Sequence, residues 1–279
     1  MIRRAAPPPG PNDRVLRLPD GRLLGYAEYG DPAGEALFFF HGSPGSRLSG
    51  AFLDSAAKQR GVRVVALERP GFGLSDFQPG RTIGSWPADV REAARHLGID
   101  RLGVLGFSAG GPYALACAAA LGEQVAAVGV VSSAGPPSAR ESSRFRSSTS
   151  ASLAGLLVLR APGLYLRRLV KHAAPADRAA LARPEVRAAL LKGDREAFRH
   201  GSRGVVDEMV LLARPWGIEF DTISSRVVLW QGEADRTVPV HEGRALAADL
   251  PGCTATVIPG AGHFWLLEHG GEVLDALFV

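Results

Sequence analysis

Hydrophobic positions along the chain follow two periods. Short, nearly continuous apolar runs at residues 15–18, 23–29, 36–40, 62–67, 102–107 and 125–131 read as strands, and two more, at 226–230 and 254–258, follow after a gap. Segments with helical spacing lie at 48–59, 83–97, 242–250 and 264–277, and another helix opens at Ala109. Pro19-Asp20-Gly21, between the first two runs, is a hairpin signal. Apolar strands alternating with helices argue for a mostly parallel eight-stranded sheet flanked by helices on both faces. Residues 138–222 break that alternation. They are rich in Ala, Leu and Arg, show helical spacing at Leu153, Leu156, Leu157 and Arg160, and contain no convincing strand. Ala161-Pro162, Ala174-Pro175 and Arg183-Pro184 divide the segment into short helices. An all-helical insertion after strand 6 reads as a lid over the strands' carboxyl ends, where such sheets bind ligands. The expected organisation is a Pro/Arg-rich arm at 1–12, a core made of 13–137 and 223–279, and a lid at 138–222.

Composition narrows the function classes. With 279 residues, 46% hydrophobic and 22% charged, the chain fits one α/β domain carrying an insertion. The net charge of +4 arises from 32 basic residues dispersed among 28 acidic ones, so it marks no basic face. Only Arg167-Arg168-Leu169-Val170-Lys171-His172 clusters cations, and it has no interleaved aromatics to stack bases. A nucleic-acid partner is therefore not expected. No apolar run approaches the roughly 18 residues of a membrane span, and the Arg- and Pro-rich start lacks the apolar stretch of a signal peptide. Cys117 and Cys253 have neither disulfide nor metal-ligand spacing, which places the chain in a reducing cytoplasm. Oligomeric state leaves no trace in the sequence.

The chemistry concentrates in three places. Strand 102–107 runs into Gly106-Phe107-Ser108-Ala109-Gly110-Gly111 and then an Ala-rich helix, the pattern of a nucleophile elbow. A serine hydroxyl is a weak nucleophile at neutral pH, so Ser108 needs a base, and that base an orienting acid. Asp235 and His263, each just past a strand end, supply both in the order Ser, Asp, His. Glu233 competes with Asp235 for the acid role; among the other histidines, His96 and His172 sit on predicted helices and His241 opens one. The third place is His41-Gly42-Ser43-Pro44-Gly45, a loop that follows a buried strand. Its Ser43 N–H and that of Ala109 would form a two-donor oxyanion hole. His41 and Gly42 are candidate substrate contacts, although the favoured reading of His41 is a brace for the loop. Phe107, Phe264 and Trp265 flank the catalytic positions and suit an apolar group, or ordinary core. Leu156, Leu157, Phe198 and Met209 have the spacing of simple lid packing. This chemistry requires no metal and no organic cofactor.

Together with Glu68-Arg69-Pro70-Gly71-Phe72-Gly73-Leu74-Ser75-Asp76, these motifs resemble the α/β-hydrolase superfamily, from about Val15 to the C-terminus. The resemblance is to the lidded, cofactor-independent branch of esterases, lactonases, C–C bond hydrolases and proline iminopeptidase-like proteins. It implies the α/β-hydrolase fold with a helical lid after strand 6, and a small-molecule carbonyl substrate. Three positions refine it. Glu68 stands where the common pattern has Asp, in a mainly structural loop. Ser108 replaces the elbow Asp of epoxide hydrolases and haloalkane dehalogenases. Ala109 stands where proline iminopeptidase-like elbows carry Trp. The leading expectation is a serine hydrolase of a small, largely uncharged ester or lactone, working through an acyl-enzyme. A C–C bond hydrolase, a non-hydrolytic cyclase or acyl-transfer enzyme, and a ligand receptor on the same scaffold share these motifs.

Overall fold

A computed structural model describes residues 10, 12–133, 135–136 and 155–278. The expected arm at 1–12 and the opening of the expected lid, Leu153 included, fall largely outside the described residues. Eight strands form one sheet in the order β1-β2-β4-β3-β5-β6-β7-β8. They are β1 (Asp13–Arg17), β2 (Leu23–Gly30), β3 (Glu35–Phe40), β4 (Val62–Leu67), β5 (Leu102–Phe107), β6 (Val125–Val131), β7 (Arg226–Gly232) and β8 (Thr254–Ile258). The β1–β2 and β2–β4 pairs are antiparallel and every later pair is parallel. The hairpin turns at Gly21, whose φ of 88° a Cβ would resist.

The strands read as apolar runs because both faces are buried. In β3, Phe38 and Phe40 point to one core while Leu37 and Phe39 point to the other. The first face is covered by α2 (Trp86–Leu97), α3 (Gly111–Leu121) and α8 (Val240–Asp249), through Trp86, Val90, Tyr113 and Leu246. The second is covered by α1 (Asp54–Gln59) and α9 (Leu266–Phe278), through Ala57, Val273, Leu274 and Leu277. The helix expected over 48–59 is divided into a 3₁₀ segment, Arg47–Leu53, capped by Ser46, and then α1.

Between β6 and β7 the described chain is helical: residues 155–160, then α4 (Pro162–His172), α5 (Pro175–Ala182), α6 (Pro184–Ala197) and α7 (Arg203–Leu212). Each of α4, α5 and α6 begins at its proline, where the missing N–H costs nothing and φ is already helical. This helical insertion has a small core of its own, in which Val158, Ala197, Phe198 and Val205 close on Phe72 of the loop after β4. The described helices include none long and apolar enough to cross a membrane.

Candidate active site

Ser108 follows the last residue of β5 and takes a φ of 53°, a left-handed conformation that an L-residue adopts at a cost and that is concentrated at functional turns. Small neighbours permit the turn. A Cβ on Gly106 would lie 2.4 Å from the Gly110 carbonyl oxygen, and one on Gly110 would lie 2.1 Å from that of Phe40. The chain makes a 3₁₀ turn over Ser108–Gly110 and then enters α3. Ser108 and Ala109 remain half-buried between fully buried neighbours.

The loop after β3 reaches the same point. A Cβ on Gly42 would meet the Phe107 ring at 3.3 Å and the Ser108 Cβ at 3.4 Å, so Gly42 lies against the elbow. Among the described residues, neither the Ser43 N–H nor the Ala109 N–H donates to a backbone carbonyl of a loop or turn. His41 is wholly buried, its Nδ1–H donating to the Gly42 carbonyl at 2.7 Å and its ring 5.1 Å from that of Phe72. Burial, aided by the Arg69 guanidinium, holds its pKa well below the usual histidine range, so the ring is neutral. Arg69 donates to the His41 carbonyl at 2.7 Å and to the Gly42 carbonyl at 3.2 Å, fixing which way those peptides face.

Asp235 and His263 arrive from the loops after β7 and β8. His263 Nδ1–H donates to Asp235 Oδ2 at 2.8 Å, with both residues buried. This bond fixes the tautomer and leaves Nε2 as the basic nitrogen. The other Asp235 oxygen accepts from the N–H groups of Thr237 (2.8 Å) and Val238 (2.9 Å), and Gln231 Nε2 donates to Oδ2 at 3.2 Å. Glu233 instead accepts from the Gly260 N–H at 3.3 Å, so the structure pairs the histidine with Asp235. The His263 ring lies 5.3 Å from that of Phe107, the residue before Ser108, and 5.4 Å from that of Phe264. No hydrogen bond joins Ser108 to His263 in this structure.

The remaining candidates are distributed more widely. Phe107 also lines a small apolar hollow of about 20 Å³ with Phe39, Leu53, Leu190 and Leu266. Trp265 stacks on His269 at 4.8 Å and lines an open cleft of about 370 Å³ behind the His263 loop, together with Phe264 and Asp177. Phe198 packs on Phe72, Met209 borders that cluster, and Leu156 is exposed. His96, His172, His200 and His241 are exposed as well.

Sequence reasoning missed the residues that attach the helical insertion. Glu208 of α7 is fully buried and pairs with Arg69 (2.7 Å) and Arg81 (2.9 Å), while Tyr113 Oη donates to it at 2.8 Å. Burial alone would raise the Glu208 pKa, but the two guanidiniums outweigh it and the group is held below the usual glutamate range. A second cluster centres on Arg47, which meets Asp13 at 2.6 Å, Glu68 at 2.7 Å and Glu196 of α6 at 2.6 Å. Glu68, treated above as a minor departure, is fully buried there, and burial pushes its carboxyl up to about 7 despite the arginine. The third is Asp177 of α5, a buried carboxylate that accepts the N–H groups of His263 (2.9 Å) and Phe264 (2.8 Å). Hydropathy does not reveal such groups, since a charged residue in a helix reads as a solvated face.

Known proteins share this architecture. A proline iminopeptidase from Xanthomonas citri is 32% identical over 124 residues, 41% of this chain and 38% of that protein. The dihydrolipoyllysine-residue acetyltransferase component of an acetoin cleaving system from Pseudomonas putida is 26% identical over 264 residues, 91% of this chain and 65% of that one. The chain thus spans less than two thirds of either curated relative. An esterase from Exiguobacterium antarcticum superposes with a TM-score of 0.75 at 17% identity, over 94% of this chain and 97% of the esterase. The profile of the alpha/beta hydrolase family matches residues 37–276, nearly the whole span from β3 to α9, and the chain belongs to that family.

Proposed function

We propose that the protein is a serine hydrolase that cleaves a small, largely uncharged ester, lactone or related carbonyl compound through an acyl-enzyme. The observation that carries this reading is the buried 2.8 Å His263–Asp235 pair set against Phe107, next to a serine held at a φ of 53°. Ser108 Oγ attacks the carbonyl carbon as its proton passes to His263 Nε2. The oxyanion that forms is held by the Ser43 and Ala109 N–H groups, and the alcohol leaves with the proton from His263. Water then attacks the acyl-serine as its proton passes to His263, which returns a proton to Ser108 Oγ as the ester bond breaks and the acid leaves. Asp235 keeps Nδ1 protonated and stabilises the imidazolium throughout. The Ser108–His263 hydrogen bond tightens when substrate fills the site, as such bonds commonly do.

The helical insertion serves as the lid: Asp177 grips the loop after β8, Leu190 borders the hollow beside Phe107, and Phe198 packs on Phe72 of the loop after β4. Aromatic rings at Phe107 and Phe264, with centroids 6.5 Å apart, favour an uncharged acyl group. A fluorophosphonate probe, which reacts with activated serines, should label the wild-type protein, and Ser108→Ala should lose essentially all of that labelling. Persistent labelling of the variant would sink the assignment. Carried out in ¹⁸O-labelled water, hydrolysis puts the label into the acid product, whereas cyclisation or acyl transfer leaves it unlabelled.

A further inference from the structure

His263 needs two anchors, because an imidazole held only at its ring can still swing with its backbone. Asp235 supplies the ring anchor. The backbone anchor comes from 86 residues away: both oxygens of the Asp177 carboxylate accept successive N–H groups, Oδ2 from His263 at 2.9 Å and Oδ1 from Phe264 at 2.8 Å. Asp177 is only 3% exposed and lies in the first turn of α5. Among the described residues, the loop's other hydrogen bonds do not engage the backbone of His263: before Gly262 they run from Ala261 N–H to Ile258 O, from Ala234 N–H to Ala261 O and from Gly260 N–H to Glu233, and after it the Phe264 and Trp265 carbonyls accept from the first turn of α9. Gly262 itself is shaped to the carboxylate, since a Cβ there would lie 2.2 Å from Asp177 Oδ2.

We propose that Asp177 is a positioning residue for His263, so that the base reaches its working orientation only while the helical insertion is docked. The inference rests on the reading of His263 as the general base. Charge-assisted bonds from one rigid carboxylate to two adjacent amides set both the height and the tilt of the residue that carries the imidazole. Displacements of about 1 Å at a catalytic group commonly lower a rate by about 10²-fold. The exposed Arg183–Glu268 pair, 2.9 Å, also ties the insertion to α9 but touches nothing at His263, which makes it the natural control.

The test compares wild type, Asp177→Asn, Gly262→Ala and Arg183→Ala. Three quantities are read: the rate of fluorophosphonate labelling at Ser108, kcat and KM on a chromogenic acetate ester, and amide hydrogen exchange over residues 261–265. Asn is isosteric but offers one acceptor and one donor to two donors. Asp177→Asn should therefore lower kcat and the labelling rate by about 10- to 100-fold, leave KM within about threefold, and speed exchange of the 263 and 264 amides. Arg183→Ala should leave all three unchanged. If Asp177→Asn does not fold, Gly262→Ala pushes the carboxylate away from the other side and should show the same loss in kcat.

Normal labelling and kcat in a folded Asp177→Asn, or in Gly262→Ala where the former does not fold, would overturn the role of Asp177 while the functional reading stood. A rise in KM at constant kcat, or an equal loss in Arg183→Ala, would overturn it too, by marking a substrate wall or general undocking. A wild-type protein that the probe does not label would instead sink the functional reading, and the role of Asp177 with it.

Discussion

The strand ends and the helical insertion meet in one place and are held there by different physics. At the ends of β5, β7 and β8 the fit is made by backbone and small residues: a left-handed Ser108, glycines where a Cβ would strike a carbonyl, and a carboxylate satisfied by amides. Across the seam the fit is made by buried ions. Glu208 faces Arg69 and Arg81, and Arg47 faces three carboxylates. Backbone bonds are insensitive to pH and specify geometry closely. Buried ion pairs contribute little net stability but are costly to break, and they titrate. Geometry for chemistry therefore resides mainly in the first region, while the sensitivity of stability to pH and to substitution resides mainly in the second.

The largest effect that would sharpen this contrast is expected at Asp235. Asp235→Asn keeps the shape and most of the amide contacts but offers Nδ1 the wrong partner, so the tautomer with a basic Nε2 is lost. We expect kcat to fall by about 10⁴-fold with little change in melting temperature, measured by steady-state kinetics and calorimetry on one sample. A large loss of stability would show that the strand ends, too, rely on this buried charge to fold.

Glu208→Ala should do the reverse. It leaves Arg69 buried without a carboxylate and Arg81 with Asp207 alone, a change that typically costs about 3–5 kcal/mol and in a chain of this size should lower the melting temperature by about 10 °C. Because Arg69 also orients the His41 and Gly42 peptides, kcat should fall as well, by less than the roughly 10²-fold cost of losing an oxyanion donor outright. Unchanged kcat would mean that the two regions are energetically separate. The acid limb follows from sign: the Glu208 pKa is depressed in the fold, so its contribution is present above the ordinary glutamate range and is lost as pH falls through the depressed value.

This division also explains what could be read in advance. The eight strands were legible because burial on both faces writes them as apolar runs, and the three prolines marked the starts of α4, α5 and α6 because the ring fits only a helix's first turn. The tight turn at Ser108, the approach of the loop after β3 and the Asp235–His263 hydrogen bond were legible as geometry because each was read from residue types just past a strand end. Asp177, Glu208 and Arg47 were not. Each sits in helical or loop sequence where a charge normally faces water, and its partner is tens of residues away or more. Glu68 shows the cost of reading a loop by its motif alone, since its extra methylene over Asp reaches Arg47 in the interior.

Asp194 offers a gentler probe of the seam region. Buried in α6 and accepting from the Tyr165 hydroxyl at 2.7 Å, its one hydrogen-bond partner among the described residues, its carboxyl is pushed up by burial to about 7. The folded state therefore holds a proton that the unfolded chain releases at the ordinary aspartate value. Stability from this group is complete below that value and is lost as pH rises through about 7. Glu68, raised to about 7 by burial, acts in the same direction. Asp194→Asn should flatten the fall in melting temperature between about pH 4 and 7, the interval from the ordinary aspartate value to the folded one, while Glu68 keeps contributing slope in the same direction. A slope unchanged in the variant would show that Asp194 is ionised in the folded protein.

The smallest expected effect bounds the contrast from the other side. Arg183 and Glu268 also bridge the insertion to the core at 2.9 Å, but their side chains are 45% and 42% exposed. Water and salt screen such a pair, and the two side chains lose rotamer freedom to form it, so exposed pairs contribute about 0–1 kcal/mol. Arg183→Ala should therefore shift the melting temperature by no more than about 2 °C, and added salt should erase even that difference. If it instead matched Glu208→Ala, burial would not be what makes the seam sensitive, and the number of bridges between insertion and core would matter more than the medium they cross.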